Sequence, residues 1–303
     1  MMNTSCIHHF SRIIFYPMPK DSLIITASDQ YPLATLLFTP ANESKGVILI
    51  CPGLGIPKEV YKNYGQFLSE QSYTALVFDY RGINNSLPKN FPKSSVNLRN
   101  WGLKDIPSIL DWIHVNYPNQ KCYLFGHSVG GQIAGLIENH HLIDRFVFFC
   151  STAGHWRLFD FPLNIFTWFM WYLHIPITTT LFGYMPKSLT YRGVSMAKGV
   201  ALEWAAWSRK KGYIADFFGK IIPQQFYEAI HQKIDLISFT DDPIATDRAV
   251  QRMMQFYKNA PIEYHKINPK QRGLPRIGHS GFFSAKAGEE LWRLPLDLIE
   301  SSL

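Results

Sequence analysis

One stretch carries residue types at a spacing that could do chemistry. Residues 121–137, KCYLFGHSVGGQIAGLI, hold Gly126-His127-Ser128-Val129-Gly130-Gly131 between an apolar β-forming run at 122–125 and a helix-forming run at 132–137. G-x-S-x-G is the pattern of a strand that reverses into a helix with one serine exposed at the tip, a nucleophile elbow. The tip residue takes a strained backbone conformation, and the residues two before and two after it pass too close to neighbouring chain for a Cβ. Gly126 and Gly130 stand at those positions, and Gly131 relaxes the crowding further. The following helix is expected to aim its N-terminus at Ser128 and so to favour developing negative charge there.

A serine hydroxyl is a poor nucleophile at neutral pH. It needs a base within hydrogen-bond reach, and the base needs an orienting carboxylate. Downstream, ISFTDDPIA at 237–245 puts Asp241 and Asp242 side by side in a turn after an apolar run, and RIGHSGFF at 276–283 puts His279 in a loop flanked by Gly278 and Gly281. Either aspartate could instead cap the next helix. Acyl transfer also needs two N–H donors aimed at the developing oxyanion. Val129, the residue after the serine, offers one. Leu54, in the turn Pro52-Gly53-Leu54-Gly55 after another apolar run, is the candidate for the second.

The elements that must position these residues follow from the apolar patterning. Residues 23–27 and 33–38 read as a β-hairpin around Ser28-Asp29-Gln30. VILIC at 47–51 is a continuous apolar run, as expected for a strand buried on both faces of a parallel sheet. A helix with one apolar face at Val60, Tyr61, Tyr64, Phe67 and Leu68 follows, then a strand at 75–78. Residues 83–98, rich in Asn, Ser and Pro, read as a loop. Helical spacing at 101–115, the elbow, and a strand at 145–150 complete a run of alternating strands and helices, which implies right-handed crossovers and a parallel sheet. The alternation breaks over 153–231, where the signals are helical and aromatic with no clear strand. It resumes with a strand at 234–240, a helix at 247–258, a strand at 262–267 and a last helix around 289–299. The expected organisation is one sheet-centred core, 1–152 and 232–303, with an inserted mainly helical cap at 153–231.

Bulk properties narrow the function classes. The 303 residues fit one large α/β domain with an insertion. The net charge of +7 is spread along the chain, its densest cluster being Arg209-Lys210-Lys211, and no RNA-binding motif or basic helix is present, so a nucleic-acid partner is not expected. Cys6, Cys51, Cys122 and Cys150 form no C-x-x-C, and three of them fall in predicted strands, as small buried hydrophobes do. That usage fits a reducing cytoplasm, and the N-terminal residues lack the pattern of a signal peptide. His8-His9 and His140-His141 are adjacent pairs, not the i, i+4 pairs of a metal site. Residues 161–185 carry no Asp, Glu, Lys or Arg, long enough to span a bilayer, but prolines, Asn164, His174 and three threonines favour a buried or lipid-facing cap segment over a membrane span.

CPGLG, FDYRGINNS, FGHSVGG, FTDDP and IGHSGFF together resemble the α/β-hydrolases along nearly the whole chain. The likeness is to a bacterial branch near the serine-aminopeptidase (S33) and monoglyceride-lipase-like families, with HWR and GVALEWAAW in the cap similar to that branch. The resemblance implies an α/β-hydrolase fold, a mostly parallel central sheet flanked by helices. It implies the chain order Ser, acid, His, with Ser128 as nucleophile, His279 as base and Asp242, before Pro243, as the orienting acid. Pro52 stands where the family usually has His, and the acid turn is one residue short and lacks the usual Gly, which keeps Asp241 open as the alternative acid. The implied activity is hydrolysis of an ester, or of an amide or thioester, on a small and apolar acyl substrate, with no metal or organic cofactor. Rivals are an acyltransferase, a peptidase with Glu203 of the cap holding a free amino terminus, and a non-catalytic binding protein on the same fold. The oligomeric state is not legible.

Overall fold

The structure, a computed structural model, describes residues 21–87, 96–188 and 193–301. Cys6, His8 and His9, and half of the Asn/Ser/Pro loop read at 83–98, lie outside the described residues. Strand β1 (Asp21–Thr26) pairs with β2 (Pro32–Phe38) as the expected antiparallel hairpin. The alternation then runs β3 (Val47–Cys51), α1 (Lys62–Glu70), β4 (Thr74–Phe78), α2 (Ile106–Asn116), β5 (Cys122–His127), α3 (Val129–Gln132) and β6 (Arg145–Phe149). The chain next leaves the sheet for α4 (Leu163–Phe169), a wide π turn (Met170–His174) and α5 (Ile175–Phe182). A two-stranded ribbon, β7 (Tyr184–Met185) with β8 (Met196–Ala197), and α6 (Lys198–Arg209) follow. It returns through β9 (Ile234–Phe239), α7 (Asp247–Met254), β10 (Ile262–Ile267) and α8 (Gly288–Glu300).

Eight strands form one sheet in the order β1-β2-β4-β3-β5-β6-β9-β10, parallel from β4 to β10. Every residue of β3, β4, β5, β6 and β9 is buried, because helices cover both faces of the sheet, and β3, VILIC, is the unbroken apolar run that such burial implies. From β3 the chain crosses to β4 on one side, while β5 pairs with β3 on the other, Cys51 opposite Gly126. At such a reversal the loops leaving the carboxyl ends diverge and open a crevice. The turn after β3 and the elbow after β5 therefore stand side by side.

The elbow is as tight as its glycines suggest. Ser128 has φ +51° and ψ −110°, a conformation non-glycine residues seldom adopt. A Cβ on Gly126 would lie 2.7 Å from the Gly131 amide nitrogen, and one on Gly130 only 2.3 Å from the Cys51 carbonyl oxygen.

Three local readings are corrected. The helix expected over 132–137 is absent: α3 is a single turn, followed by a 3₁₀ turn at Ala134–Leu136. The Gly131 and Gln132 carbonyls that would continue it accept instead from the Tyr257 and Tyr227 hydroxyls, at 2.7 and 2.5 Å. The Gly135 amide donates to Tyr257 Oη and the Gly135 carbonyl accepts from the Phe226 amide. Tyr227 packs so closely on Gly135 that a Cβ there would meet its ring at 2.2 Å. Tertiary hydrogen bonds have replaced helical ones, so the helix-dipole contribution expected at Ser128 reduces to the free N–H groups of one turn. Val60, placed on the apolar face of the first helix, is exposed, because Lys58–Tyr61 winds as a 3₁₀ turn and its three-residue period rotates Val60 outward. The inserted segment also contains the short β7–β8 ribbon, missed because two-residue strands carry no periodicity.

The Cys51 contact yields a stability prediction. Gly130→Ala forces β3 and α3 apart and is expected to cost at least about 3 kcal/mol, lowering Tm by roughly 6 °C or more. Gly273→Ala is the control: its φ is +66° but nothing lies within 4 Å, so only the left-handed backbone cost of about 1 kcal/mol applies. Equal losses in thermal melts of the two variants would show that close packing at the elbow is not the constraint.

Candidate active site

Ser128, Asp242 and His279 come from three separate loops at the carboxyl edge of the sheet. The structure brings all three together. The Ser128 hydroxyl is 3.0 Å from His279 Nε2, and His279 Nδ1 is 2.7 Å from Asp242 Oδ2. A carboxylate can only accept, so Nδ1 carries the proton and Nε2 is free to accept from Oγ. Burial alone would raise the Asp242 carboxyl, but the charge of His279, its hydrogen bond and the Ile244 and Ala245 amides hold it below the usual carboxylate range.

Asp241 sits elsewhere. Its two oxygens accept the Ile277 and Gly278 amides, at 2.9 and 3.0 Å, and so clamp the loop that carries His279. Neither aspartate caps α7, where the Thr246 side chain accepts from the Ala249 amide. The adjacent pair thus splits into one carboxylate on the imidazole and one on its backbone.

Leu54 and Val129 both line the cavity that holds Ser128 and His279. As the first residue of α3, Val129 has an N–H with no intrahelical acceptor. The turn containing Leu54 is closed by the Ile56 amide donating to the Gly53 carbonyl.

Two residues of the site were not singled out from the sequence. Tyr61 Oη accepts the Gly53 amide at 2.8 Å and donates to His127 Nδ1 at 2.7 Å. His127 Nε2 lies 2.9 Å from the His279 carbonyl, which can only accept, so Nε2 is protonated and Nδ1 accepts. Burial drives the His127 imidazole down to about 3, and His279 adds to the shift, so it stays neutral. His127 could have been noticed as the variable position of G-x-S-x-G. Nothing local to Tyr61 marks it, since an aromatic on a helical face reads as core.

Metal ligation does not suit the site. Cys150, Asp242 and His279 approach one another, but His279 Nδ1 is occupied by Asp242, and burial pushes the Cys150 thiol well up, away from the thiolate a metal needs. A second group, Asp235, Glu263 and His265, already has Arg145 on Asp235 at 2.6 Å and Lys233 on Glu263 at 2.7 Å.

Above Ser128 is a cavity of about 490 Å³, in the range of small-molecule sites. Its walls include Ile56, Phe159, Leu163, Met170, Trp171 and Trp204, and no carboxylate among the described residues lines it. Glu203 neither faces this cavity nor lies on a helix surface. It is buried and paired with the Arg99 guanidinium, and it also accepts the Arg99 amide. Burial raises its pKa against the pull of Arg99.

Comparison with known proteins agrees with this architecture. Residues 42–180 match the family model of hydrolases described as serine aminopeptidase, S33. No curated protein sequence matches significantly. Among solved structures, an esterase from Pyrococcus furiosus superposes with a TM-score of 0.59 at 16% identity, covering 95% of this chain and 96% of its own. An esterase from Exiguobacterium antarcticum gives 0.58 at 13%, covering 91% and 98%. A Staphylococcus aureus protein of unknown function gives 0.60 at 16%, covering 93% and 99%. At these identities the structures show a shared fold. Fold and family match together give this chain an α/β-hydrolase fold, similar over residues 42–180 to the hydrolases described as serine aminopeptidase, S33.

Proposed function

We propose that this hydrolase cleaves carboxylic esters through an acyl-enzyme, with Ser128 as nucleophile, His279 as general base and acid, and Asp242 as the carboxylate that orients the imidazole. The observation that carries the reading is the unbroken relay from Ser128 Oγ to His279 Nε2 and from Nδ1 to Asp242, at the floor of an apolar cavity. His279 takes the serine proton as Oγ attacks the carbonyl carbon. The imidazolium is stabilised by Asp242 and then protonates the leaving alkoxide. The Leu54 and Val129 amides receive the oxyanion. Water, deprotonated by His279, then releases the acid and regenerates Ser128. No step calls for a metal or organic cofactor.

Two features favour an ester with an uncharged acyl group. The cavity walls are mainly apolar, and the segment between β6 and β9 contributes Phe159, Leu163, Met170, Trp171 and Trp204 to them, as a cap would. The peptidase reading needs a carboxylate for a free amino terminus, and Glu203 is already bound to Arg99. Solved relatives of the same fold are described as esterases.

Ser128→Ala is expected to remain folded, to lose labelling by fluorophosphonates and to lose about 10⁴-fold or more in kcat/KM on an activated ester. Wild-type-like turnover by a clean preparation would falsify the mechanism. Asp242→Asn is expected to lower kcat roughly 10³- to 10⁴-fold, because the amide can hold the wrong imidazole tautomer. Asp241→Asn weakens the two backbone hydrogen bonds, so its loss is expected to stay below about 100-fold and to come with a lower Tm. A larger kcat loss at Asp241 would move the acid one residue earlier. For p-nitrophenyl esters, each methylene buried in the cavity is worth about 0.8 kcal/mol, so kcat/KM is expected to rise up to about fourfold per carbon until the cavity is full. A profile that is flat or falls from acetate onward would remove the acyl-pocket assignment and leave the relay intact.

A further inference from the structure

The segment from α4 to α5 has two apolar faces, and only one is used by the fold. Met170, Trp171, Ile175 and Thr179 are buried against the protein. On the opposite side Ile165, Trp168, Tyr172, Ile177 and Leu181 are exposed, spaced three to five residues apart along one face, with Leu181 72% exposed and the preceding Phe161 81%. Of the fifteen exposed large hydrophobic side chains among the described residues, ten lie between 161 and 182, so this is one patch and not the usual scatter. The segment contains no charged residue. No helix among the described residues is long and apolar enough to cross a membrane, and this one is packed along its inner side, so it can only lie flat.

Beside this face lies a second concavity, of about 480 Å³, which shares Tyr172 with it. Arg157, Arg209, Lys211 and Arg252 line it, together with His155 and Trp156, and no carboxylate among the described residues does. The Arg209 guanidinium sits 5.6 Å from the Tyr172 ring and Arg157 lies 5.0 Å from the Trp156 ring. No salt bridge among the described residues neutralises any of the four cations. The nearby acids are engaged elsewhere: Asp160 pairs with Arg248, and Asp216 accepts the Gly212 amide. An uncompensated basic recess bordered by Trp and Tyr, adjoining a flat apolar helix, has the charge and polarity order of a lipid interface: phosphate outermost, then glycerol, then acyl chain.

We propose that this face docks on an anionic phospholipid surface, with α4–α5 lying in the plane of the interface and headgroup phosphate held in the basic recess. Phe166 belongs to both the exposed face and the wall of the cavity above Ser128. Docking therefore places the cavity at the lipid boundary, and a lipid acyl ester can enter without crossing water. That last clause rests on the ester-hydrolase reading; the docking does not.

Vesicle binding tests it without turnover. Sucrose-loaded vesicles of phosphatidylcholine, with or without phosphatidylglycerol, are sedimented with the intact chain and its variants. The wild type is expected to bind the anionic vesicles at least about tenfold more tightly than neutral ones, and less at high salt. Ile177→Ser/Leu181→Ser, both exposed, is expected to lose at least tenfold on both vesicle types. Arg209→Glu/Lys211→Glu is expected to bind anionic vesicles no better than neutral ones. Thermal melts establish that each variant is folded. Failure of the wild type to sediment with anionic vesicles overturns the proposal, as does equal binding by all three proteins. A dimer on size exclusion that Ile177→Ser/Leu181→Ser converts to monomer, without vesicle binding, assigns the face to a second copy instead. Ester turnover lost with binding intact would fault the ester-hydrolase reading alone.

Discussion

One neutral imidazole ties the site together. His127 receives the Tyr61 hydroxyl on one nitrogen and donates from the other to the His279 carbonyl, while Tyr61 in turn accepts the Gly53 amide. Three loops that leave different strands, the turn at Gly53–Leu54, the elbow and the His279 loop, are thereby fixed to one another by three hydrogen bonds, two of them buried and the one to His279 partly so. Gly53, Tyr61 and His127 are buried and His279 is partly so, so breaking the bonds among the first three strands a polar atom with no water to replace it. The low pKa of His127 matters for this reason: a charged ring would have two donors and nothing to accept the Tyr61 proton.

The supports behind this network reach back to the end of β4. Asp79 accepts both the amide and the ammonium of Lys58 at 2.8 Å, which holds the 3₁₀ turn that presents Tyr61. Arg81, two residues on, pairs with Asp105 at the head of α2 and with Asp29 in the first hairpin, tying the β4 exit to two further elements. On the other side, Asp241 fixes the backbone of the His279 loop. The residues proposed to react are thus held by side chains outside the cavity lining, and precise placement of reacting groups lowers the barrier by prepaying their orientation.

The segment between β6 and β9 carries apolar side chains on both of its sides. Its inner side closes an apolar cavity, and its outer side presents more apolar surface than folding requires. A helix that only packed a cap onto a core would show a polar outer stripe. The absence of charge along 161–185, visible in the sequence, admitted a buried segment, a lipid-facing segment or a span; the side-by-side arrangement of exposed stripe and basic recess depends on Arg157, Arg209 and Arg252 arriving from three separate stretches of chain.

The sheet, the break in strand–helix alternation after β6 and the candidate nucleophile were legible in the sequence alone, because these rest on local rules: period and run length for strands buried on both faces, and glycines at fixed offsets around a strained serine. The sequence also singled out His279 and the aspartate pair. What it left open was decided by contacts between residues far apart in the chain. Which aspartate meets the imidazole follows from the path of the 276–279 backbone, which Asp241 holds. Glu203, read as a cap acid or a surface residue, is neutralised by Arg99 about a hundred positions away. The helix after the elbow stops after one turn because Tyr227, from the end of the inserted segment, and Tyr257, from beyond it, take its carbonyls. Local propensity describes the hydrogen bonds a segment makes with itself; only the folded chain reveals which distant hydroxyl, amide or guanidinium competes for them.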